Sequence, residues 1–240
     1  DWSSDVCSSD LMINDVVLVH GAWHRGSGFS QLITELDAIG ITSTLVELSS
    51  VAEAGKPIGD MYRDAAIVRS VVDKLGRDCV VLAHSYGGLP VTQGLVGASN
   101  VKGLIYLTAF VLDKGETLYQ ACGNTDPAWW VRTDDNRLTT SNPTEIFYNT
   151  CTKEIAEHAA TQLRTQSLEA FNQAITETAW REIDSTYIIC ERDNAIPVFA
   201  QEAMSQRCSR TLRIDTDHSP FLSAPKELAE MIKRSLPTLG

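Results

Sequence analysis

Short apolar runs rich in β-branched residues alternate with longer stretches of helical period over most of the chain. This alternation constrains the fold most strongly, because it is typical of a parallel sheet covered by crossover helices. It predicts an α/β fold, a mostly parallel sheet flanked by helices. We expect strands at 16–19, 42–48, 79–83, 104–110, 186–190 and 211–214, and helices at 29–39, 61–75, from after residue 83 to about 97, and 224–236.

The alternation stops between Leu112 and Ile183. About 70 residues follow without a convincing strand, and they are rich in helix formers and aromatic side chains. A structureless loop of that length is improbable in a compact domain. We therefore expect a helical cap at 113–182, inserted into one core made of 12–112 and 183–240.

Residues 1–11 differ from the rest, since serine and aspartate dominate them and Met12 follows directly. They have neither the basic start nor the apolar run of a signal peptide. We interpret them as a non-native leader that resembles translated adapter sequence.

Charge and cysteine usage limit the partners. The net charge of −11 argues against nucleic acid and anionic membranes, which repel an acidic surface. The six cysteines are scattered and include no C-x-x-C pair, so neither a zinc site nor a dense disulfide framework is indicated. Free thiols in a cytoplasmic protein are favoured, although Cys122 and Cys151 could pair. A homodimer is left open.

The clearest chemical motif lies where a strand runs into Ser85 and a helix follows. Ala83 stands two residues before the serine and Gly87 two residues after it, and this small-x-Ser-x-Gly spacing is typical of a nucleophile elbow. Ala83 replaces the usual first glycine and keeps the side chain small. The alternative is a strand that merely ends in a polar, glycine-rich turn.

Candidate partners for Ser85 follow in the order Ser, Asp, His. His218 lies in a polar loop before the last predicted helix, and Asp193 lies between a strand and a proline-started helix. Asp217 adjoins His218 in sequence, so its side chain is poorly directed at the same ring. We expect three neighbouring acids to be solvated or structural: Glu191, Asp215 and Asp217.

An oxyanion hole needs two backbone N–H groups, one after the nucleophile and one from the loop after the first strand. Tyr86 and Ala22 are the candidates at those positions. His20 and His24 have the spacing of a helical metal pair, but Gly21 and the strand exit favour a loop. We expect no metal site and no cofactor.

Together these segments resemble the α/β-hydrolase superfamily, in particular the plant methyl-esterase and hydroxynitrile-lyase group and its bacterial, pyrethroid-hydrolase-like carboxylesterases. The resemblance covers most of 12–236 and rests on four segments: 20–24, 83–88, 192–197 and 217–221. It implies a serine hydrolase that cleaves carboxylic esters through an acyl-enzyme, with a small-molecule ester as its partner.

The resemblance also separates the chemistries of that group. The lyases carry threonine where Gly21 stands and lysine where Ser219 stands, and both are absent here. Ester hydrolysis is therefore the expected reaction, and hydroxynitrile lyase is kept as an alternative. A ligand-binding receptor with little turnover is a second one, because fold alone does not fix function.

Aromatic residues are the candidates for substrate contact, since binding pockets are mostly apolar. They would favour small to medium hydrophobic or aryl esters, unless they only form the cap's own core. The candidates are Trp23, Trp129, Trp130, Phe147 and Tyr148.

Overall fold

The structure, a computed structural model, describes residues 13–237. Residues 1–12, with the predicted leader and Cys7, lie outside this range, as do 238–240. The strands within it are β1 (Asp15–Val19), β2 (Thr42–Val46), β3 (Val51–Ala52), β4 (Cys79–His84), β5 (Val101–Leu107), β6 (Trp130–Arg132), β7 (Arg137–Thr140), β8 (Thr165–Ser167), β9 (Ser185–Cys190) and β10 (Arg210–Ile214).

Six strands form a fully parallel sheet in the order β10-β9-β5-β4-β1-β2. Its residues alternate between two buried layers: Val80 and Leu82 belong to one hydrophobic cluster, and Val81 and Ala83 to the other. Helices therefore cover both faces, as the near-continuous apolar strands require. The six predicted strands are confirmed, although β5 ends at Leu107 rather than at residue 110.

The helices are α1 (Ser30–Ala38), α2 (Met61–Leu75), α3 (Gly88–Gly94), α4 (Leu118–Ala121), α5 (Pro143–Phe147), α6 (Lys153–Thr161), α7 (Leu168–Asn172), α8 (Val198–Ser205), α9 (Pro220–Ser223) and α10 (Pro225–Ser235). The helix α2 ends at Gly76, which takes the left-handed conformation at φ 64° and terminates the helix without a Cβ clash. On one face of the sheet α1 packs against α10, and on the other α2 packs against α3.

The segment 113–182 contains helices, as expected, and also three short strands that the sequence did not predict. Strands β6, β7 and β8 pair antiparallel, and β3, from the part of the chain assigned to the core, pairs with β8. These strands have two to four residues each, too few for a period of two to be visible in the sequence.

The order of the main sheet reverses at β1, whose two neighbours β2 and β4 follow it on opposite sides. Crossovers leave this point in opposite directions, and the carboxyl ends of the strands there form a crevice in α/β sheets. The loop after β1 and the turn after β4 meet at this crevice.

Candidate active site

Ser85 follows β4 directly, in a sharp turn that leads into α3. Its φ of 54° lies in the left-handed region, which costs a non-glycine residue about 1–3 kcal/mol. A Cβ on Gly87 would lie 2.7 Å from the His20 carbonyl oxygen, and one on Gly88 would lie 2.1 Å from that of Phe110. The backbones after β1 and β5 therefore confine the turn, and this explains its glycines.

The pair Asp193 and His218 is buried after β9 and β10. The Asp193 Oδ2 atom lies 2.7 Å from Nδ1 of His218 and also accepts a hydrogen bond from the Thr108 hydroxyl. The other oxygen, Oδ1, accepts from the backbone N–H groups of Ala195 at 2.7 Å and Ile196 at 2.9 Å. The carboxylate therefore accepts a further hydrogen bond from the Nδ1–H group of the ring. This leaves Nε2 of His218 free to accept a proton.

The neighbouring acids make other contacts, in keeping with the structural or solvated roles predicted for them. Asp217 is buried, and its oxygens accept from Ser219 N at 3.0 Å, Ser223 Oγ at 2.9 Å and Thr150 N at 2.9 Å. It thereby ties the His218 loop to the segment 113–182. Two exposed pairs lie outside the site: Asp215 with Arg192, and Glu191 with Arg213.

The two candidate oxyanion donors belong to peptide groups that are held at their carbonyl oxygens. Gly21 O accepts from Nδ1 of His20 at 2.9 Å, and Ser85 O accepts from Phe110 N at 3.1 Å. Because the C=O and N–H of a trans peptide point in opposite directions, these bonds also fix the directions of the Ala22 and Tyr86 N–H groups. His20 is neutral and carries its proton on Nδ1, because burial lowers its pKa and its Nε2 accepts a hydrogen bond from Leu48 N at 3.0 Å.

Ser85, His218, Ala22 and Tyr86 line one cavity of about 30 Å³, little more than the space of one or two waters. None of its lining residues within 13–237 is an Asp, Glu, Lys or Arg. Within residues 13–237, no direct hydrogen bond joins Ser85 to His218. Catalytic hydrogen bonds of this kind often tighten only when substrate is bound. The rest of the lining is Trp23, Phe110, Leu118, Cys122, Pro127, Trp129, Trp130, Phe147, Phe171, Ala195 and Ile196.

Tyr148 differs from the prediction, because it does not line the cavity of Ser85. Its hydroxyl bonds Nε2 of His24 at 2.9 Å, and Nδ1 of that ring bonds the Ala22 carbonyl oxygen at 2.7 Å. Burial lowers the pKa of His24 to about 3, so the ring is neutral and its Nε2 accepts a hydrogen bond from the Tyr148 hydroxyl. Tyr148 and His24 instead line a separate cavity of about 360 Å³ beside α1 and α6. Tyr148 thus links the segment 113–182 to the loop after β1.

The described cysteines are all free thiols. Cys122 and Cys151 are among them, so their suggested disulfide is absent. Within residues 13–237 no three metal-ligating side chains cluster. None of the helices in that range has the length and hydropathy needed to cross a membrane.

A sequence model of the alpha/beta hydrolase family matches residues 16–231. The chain belongs to the alpha/beta hydrolase family. The resemblance inferred from the sequence is thereby confirmed, and so is the fold class.

Two curated relatives show how distant individual members of the family are. The hydrolase is 26% identical to the alpha/beta hydrolase nvfD of Aspergillus novofumigatus, over 92% of this chain and 95% of that protein. It is 24% identical to the pyrethroid hydrolase of Sphingobium wenxiniae, over 92% of this chain and 87% of that protein.

Solved structures agree in fold. A pyrethroid hydrolase from Sphingobium faniae superimposes with a TM-score of 0.79 at 24% identity, covering 92% of this chain and 96% of that chain. Polyneuridine aldehyde esterase gives a TM-score of 0.78 at 19% identity, covering 92% and 98%.

Several residues of this site were not predicted from the sequence. Thr108 contacts Asp193 but lies at the end of an apolar strand, where nothing marks a threonine as functional. Phe171 lies in the cavity wall among the cap aromatics and could have been included on that ground. The spacing of His20 and His24 suggests only metal ligands, whereas in the structure their hydrogen bonds hold the loop after β1.

Proposed function

We propose that this hydrolase is a serine carboxylesterase with Ser85, Asp193 and His218 as its triad. The observation that carries the proposal is the buried Asp193–His218 pair, whose imidazole lines the same cavity as the strained Ser85. A hydrogen-bonded His–Asp pair beside a nucleophile at an elbow is the arrangement by which acyl transfer is activated.

In the mechanism, the Ser85 hydroxyl oxygen attacks the ester carbonyl carbon while Nε2 of His218 takes its proton. Asp193 stabilises the resulting imidazolium through Nδ1. The Ala22 and Tyr86 N–H groups donate to the oxyanion, and His218 then protonates the departing alcohol. His218 next takes a proton from a water molecule that attacks the acyl carbon, and it returns this proton to Ser85 Oγ as the bond to the acyl group breaks and the acid is released.

We propose small to medium hydrophobic or aryl esters as substrates. The cavity lining carries no Asp, Glu, Lys or Arg within the described residues, which supports an uncharged substrate. Relatives named pyrethroid hydrolase, carbendazim hydrolyzing esterase and methylesterase 7 support ester hydrolysis. The small cavity further implies that the aromatic wall moves when such an ester binds.

The proposal also covers the domain organisation and the cellular location of the protein. We propose that 12–112 and 183–240 form the catalytic core and that 113–182 is the cap. The free thiols of the described cysteines support a reducing compartment, the cytoplasm. The homodimer stays a prediction, and sedimentation of the purified chain tests it.

The test is a panel of p-nitrophenyl and aryl esters with separately varied acyl and alcohol parts, run on the wild type and Ser85→Ala. We expect bulky hydrophobic esters to be preferred over acetyl esters. Ser85→Ala should lower kcat by about 10³–10⁶-fold, the scale of triad knockouts. An organophosphonate should label Ser85 alone by peptide mass spectrometry. Near-wild-type turnover by Ser85→Ala would refute the assignment, and flat activity across acyl sizes would refute the substrate class.

Two measurements test a hydroxynitrile lyase and a receptor against the esterase. A Cβ on Gly21 would lie 2.8 Å from Cβ of Ser85, so the threonine of the lyases has no room here. We therefore expect no cyanide release from mandelonitrile. Many turnovers per minute on an ester would distinguish an enzyme from a receptor, which would give one slow cycle and retain the product.

A further inference from the structure

A buried carboxylate outside the triad, that of Asp64, contacts hydrogen-bond donors on several sides. It lies in the first turn of α2, is 0% exposed and forms no ion pair within residues 13–237. One oxygen accepts from Ser49 N at 2.6 Å, Ser49 Oγ at 2.8 Å and Ser50 N at 3.1 Å. The other accepts from the Tyr86 hydroxyl at 2.8 Å. Four hydrogen-bond donors at the N-terminal end of α2 therefore surround this carboxylate.

The first connection from Asp64 leads to the elbow. Tyr86 is the residue directly after Ser85, and its side chain is fully buried against Phe171, with ring centroids 5.6 Å apart. Burial and Asp64 raise the pKa of its phenol, which therefore stays a donor. The bond to Asp64 fixes the far end of this side chain, so the residue that supplies the candidate N–H is held at both its backbone and its phenol.

The second connection leads to the loop after β1. Asp64 fixes Ser49 and Ser50, which follow β2, and Leu48 N of the same segment donates to Nε2 of His20. Nδ1 of His20 in turn donates to Gly21 O, on the peptide group that carries the Ala22 N–H. A continuous series of hydrogen bonds and short backbone steps thus joins Asp64 to the second candidate donor.

We propose that Asp64 is a positioning residue for both N–H groups of the oxyanion hole, reaching Tyr86 directly and Ala22 through Leu48 and His20. This inference rests on the proposed function. If Asp64 only stabilised the turn between β2 and α2, its bonds to Ser49 and Ser50 would suffice, and its hydrogen bond with the Tyr86 hydroxyl would be unexplained. Preorganised donors matter most for the charge that develops in the transition state. Loosening them should therefore weaken oxyanion binding more than substrate binding.

The experiment uses three variants of the full chain: Tyr86→Phe, Asp64→Asn and Tyr106→Phe. Tyr106→Phe is the matched control, since that buried tyrosine bonds Thr92 at 2.9 Å and lies outside the cavity lining. Each variant is titrated with an aryl trifluoromethyl ketone, whose carbonyl carbon bonds Ser85 Oγ. In that addition the serine proton passes to His218 and the carbonyl oxygen becomes an oxyanion. The matching aryl ether reports ground-state binding.

For Tyr86→Phe we expect about tenfold weaker ketone binding and about tenfold lower kcat, less than the roughly 10²–10³-fold loss on deleting an oxyanion donor. Its KM and ether affinity should stay within about twofold. Asp64→Asn should give a larger loss in the same direction if it folds. Tyr106→Phe should match the wild type in both titrations.

Two outcomes would overturn the inference: Tyr86→Phe binding the ketone as the wild type does, or losing ketone and ether affinity equally. A failure of the proposed function looks different. In that case the wild type itself would neither hydrolyse esters nor bind the ketone better than Ser85→Ala does. Tyr86→Phe keeps the test decisive even if Asp64→Asn does not fold.

Discussion

The cavity has two walls that are held by different forces. On the core side, Asp193 accepts hydrogen bonds from Thr108, Ala195 and Ile196 and bonds His218. On the cap side, the rings of Trp129 and Phe147 have centroids 5.3 Å apart, and Trp129 lies at the same distance from Trp23 of the loop after β1. Hydrogen bonds depend steeply on angle, whereas apolar contact is non-directional. We therefore expect the core side to hold the proposed catalytic groups in place and the cap side to repack around different substrates.

The largest effect on the core side is expected from Asp193→Asn. We expect kcat to fall by about 10⁴-fold, as for the same change in a serine-protease triad, because an amide disturbs the tautomer of His218. Initial rates on an aryl acetate measure the effect. Asp217→Asn is the control, since its bonds tie the loop to the cap, and it should cost mainly stability. Equal kinetic losses in both variants would contradict the assignment of Asp193.

The second prediction concerns acid stability. Burial lowers the folded-state pKa values of His20, His24 and His84 below the ordinary 6.5. The unfolded chain therefore binds more protons in acid, so this stability is full above about pH 6.5 and decreases as the pH falls. Because the pKa of His24 falls to about 3, that ring alone should cost about 2 kcal/mol of the free energy of unfolding between pH 7 and 5, and His20 and His84 act in the same direction.

Urea unfolding at pH 7, 6 and 5 measures this loss. His24→Gln should reduce the pH dependence, since it removes one of the three buried rings with a lowered pKa, while the matched change at exposed His158 should leave it intact. The same pH dependence in His24→Gln and the wild type would show that His24 does not titrate on unfolding.

A smaller effect is expected on the core side from Thr108→Val. This change keeps the shape but removes the hydroxyl donor from Oδ2 of Asp193. We expect kcat to fall about tenfold, in line with about 1.5 kcal/mol for a hydrogen bond to a charged group. Thr108→Ser retains a hydroxyl and should restore most of the rate. Equal rates for the valine and serine variants would show that the hydroxyl is dispensable.

The smallest effect is expected on the cap side. Trp129→Ala should enlarge the cavity and raise kcat/KM for bulky aryl esters a few-fold, with acetyl esters within about twofold, a range typical of small changes in an apolar pocket. Trp180→Phe is the control, because that side chain bonds Leu112 O outside the cavity lining. A tenfold loss on acetyl esters would show that the cap wall takes part in the chemistry.

The same contrast explains what the sequence could predict. The main-sheet strands and the motifs around Ser85 and His218 are local patterns, so they were predictable. The link from β3 to β8 joins residues more than 100 positions apart and leaves no local trace. Thr108 takes a φ of 37°, unusual for a β-branched residue, and only its neighbours in space explain this conformation. Asp64 reads in sequence as an ordinary acid in the first turn of a helix.

Three of the five tryptophans, Trp23, Trp129 and Trp130, lie in the wall of the small cavity. Any ester that enters must displace or contact their indole rings. Intrinsic fluorescence should therefore change when the cavity fills, even in Ser85→Ala, where no product forms. The protein carries its own optical reporter of occupancy, and stopped-flow emission can time substrate entry separately from acylation.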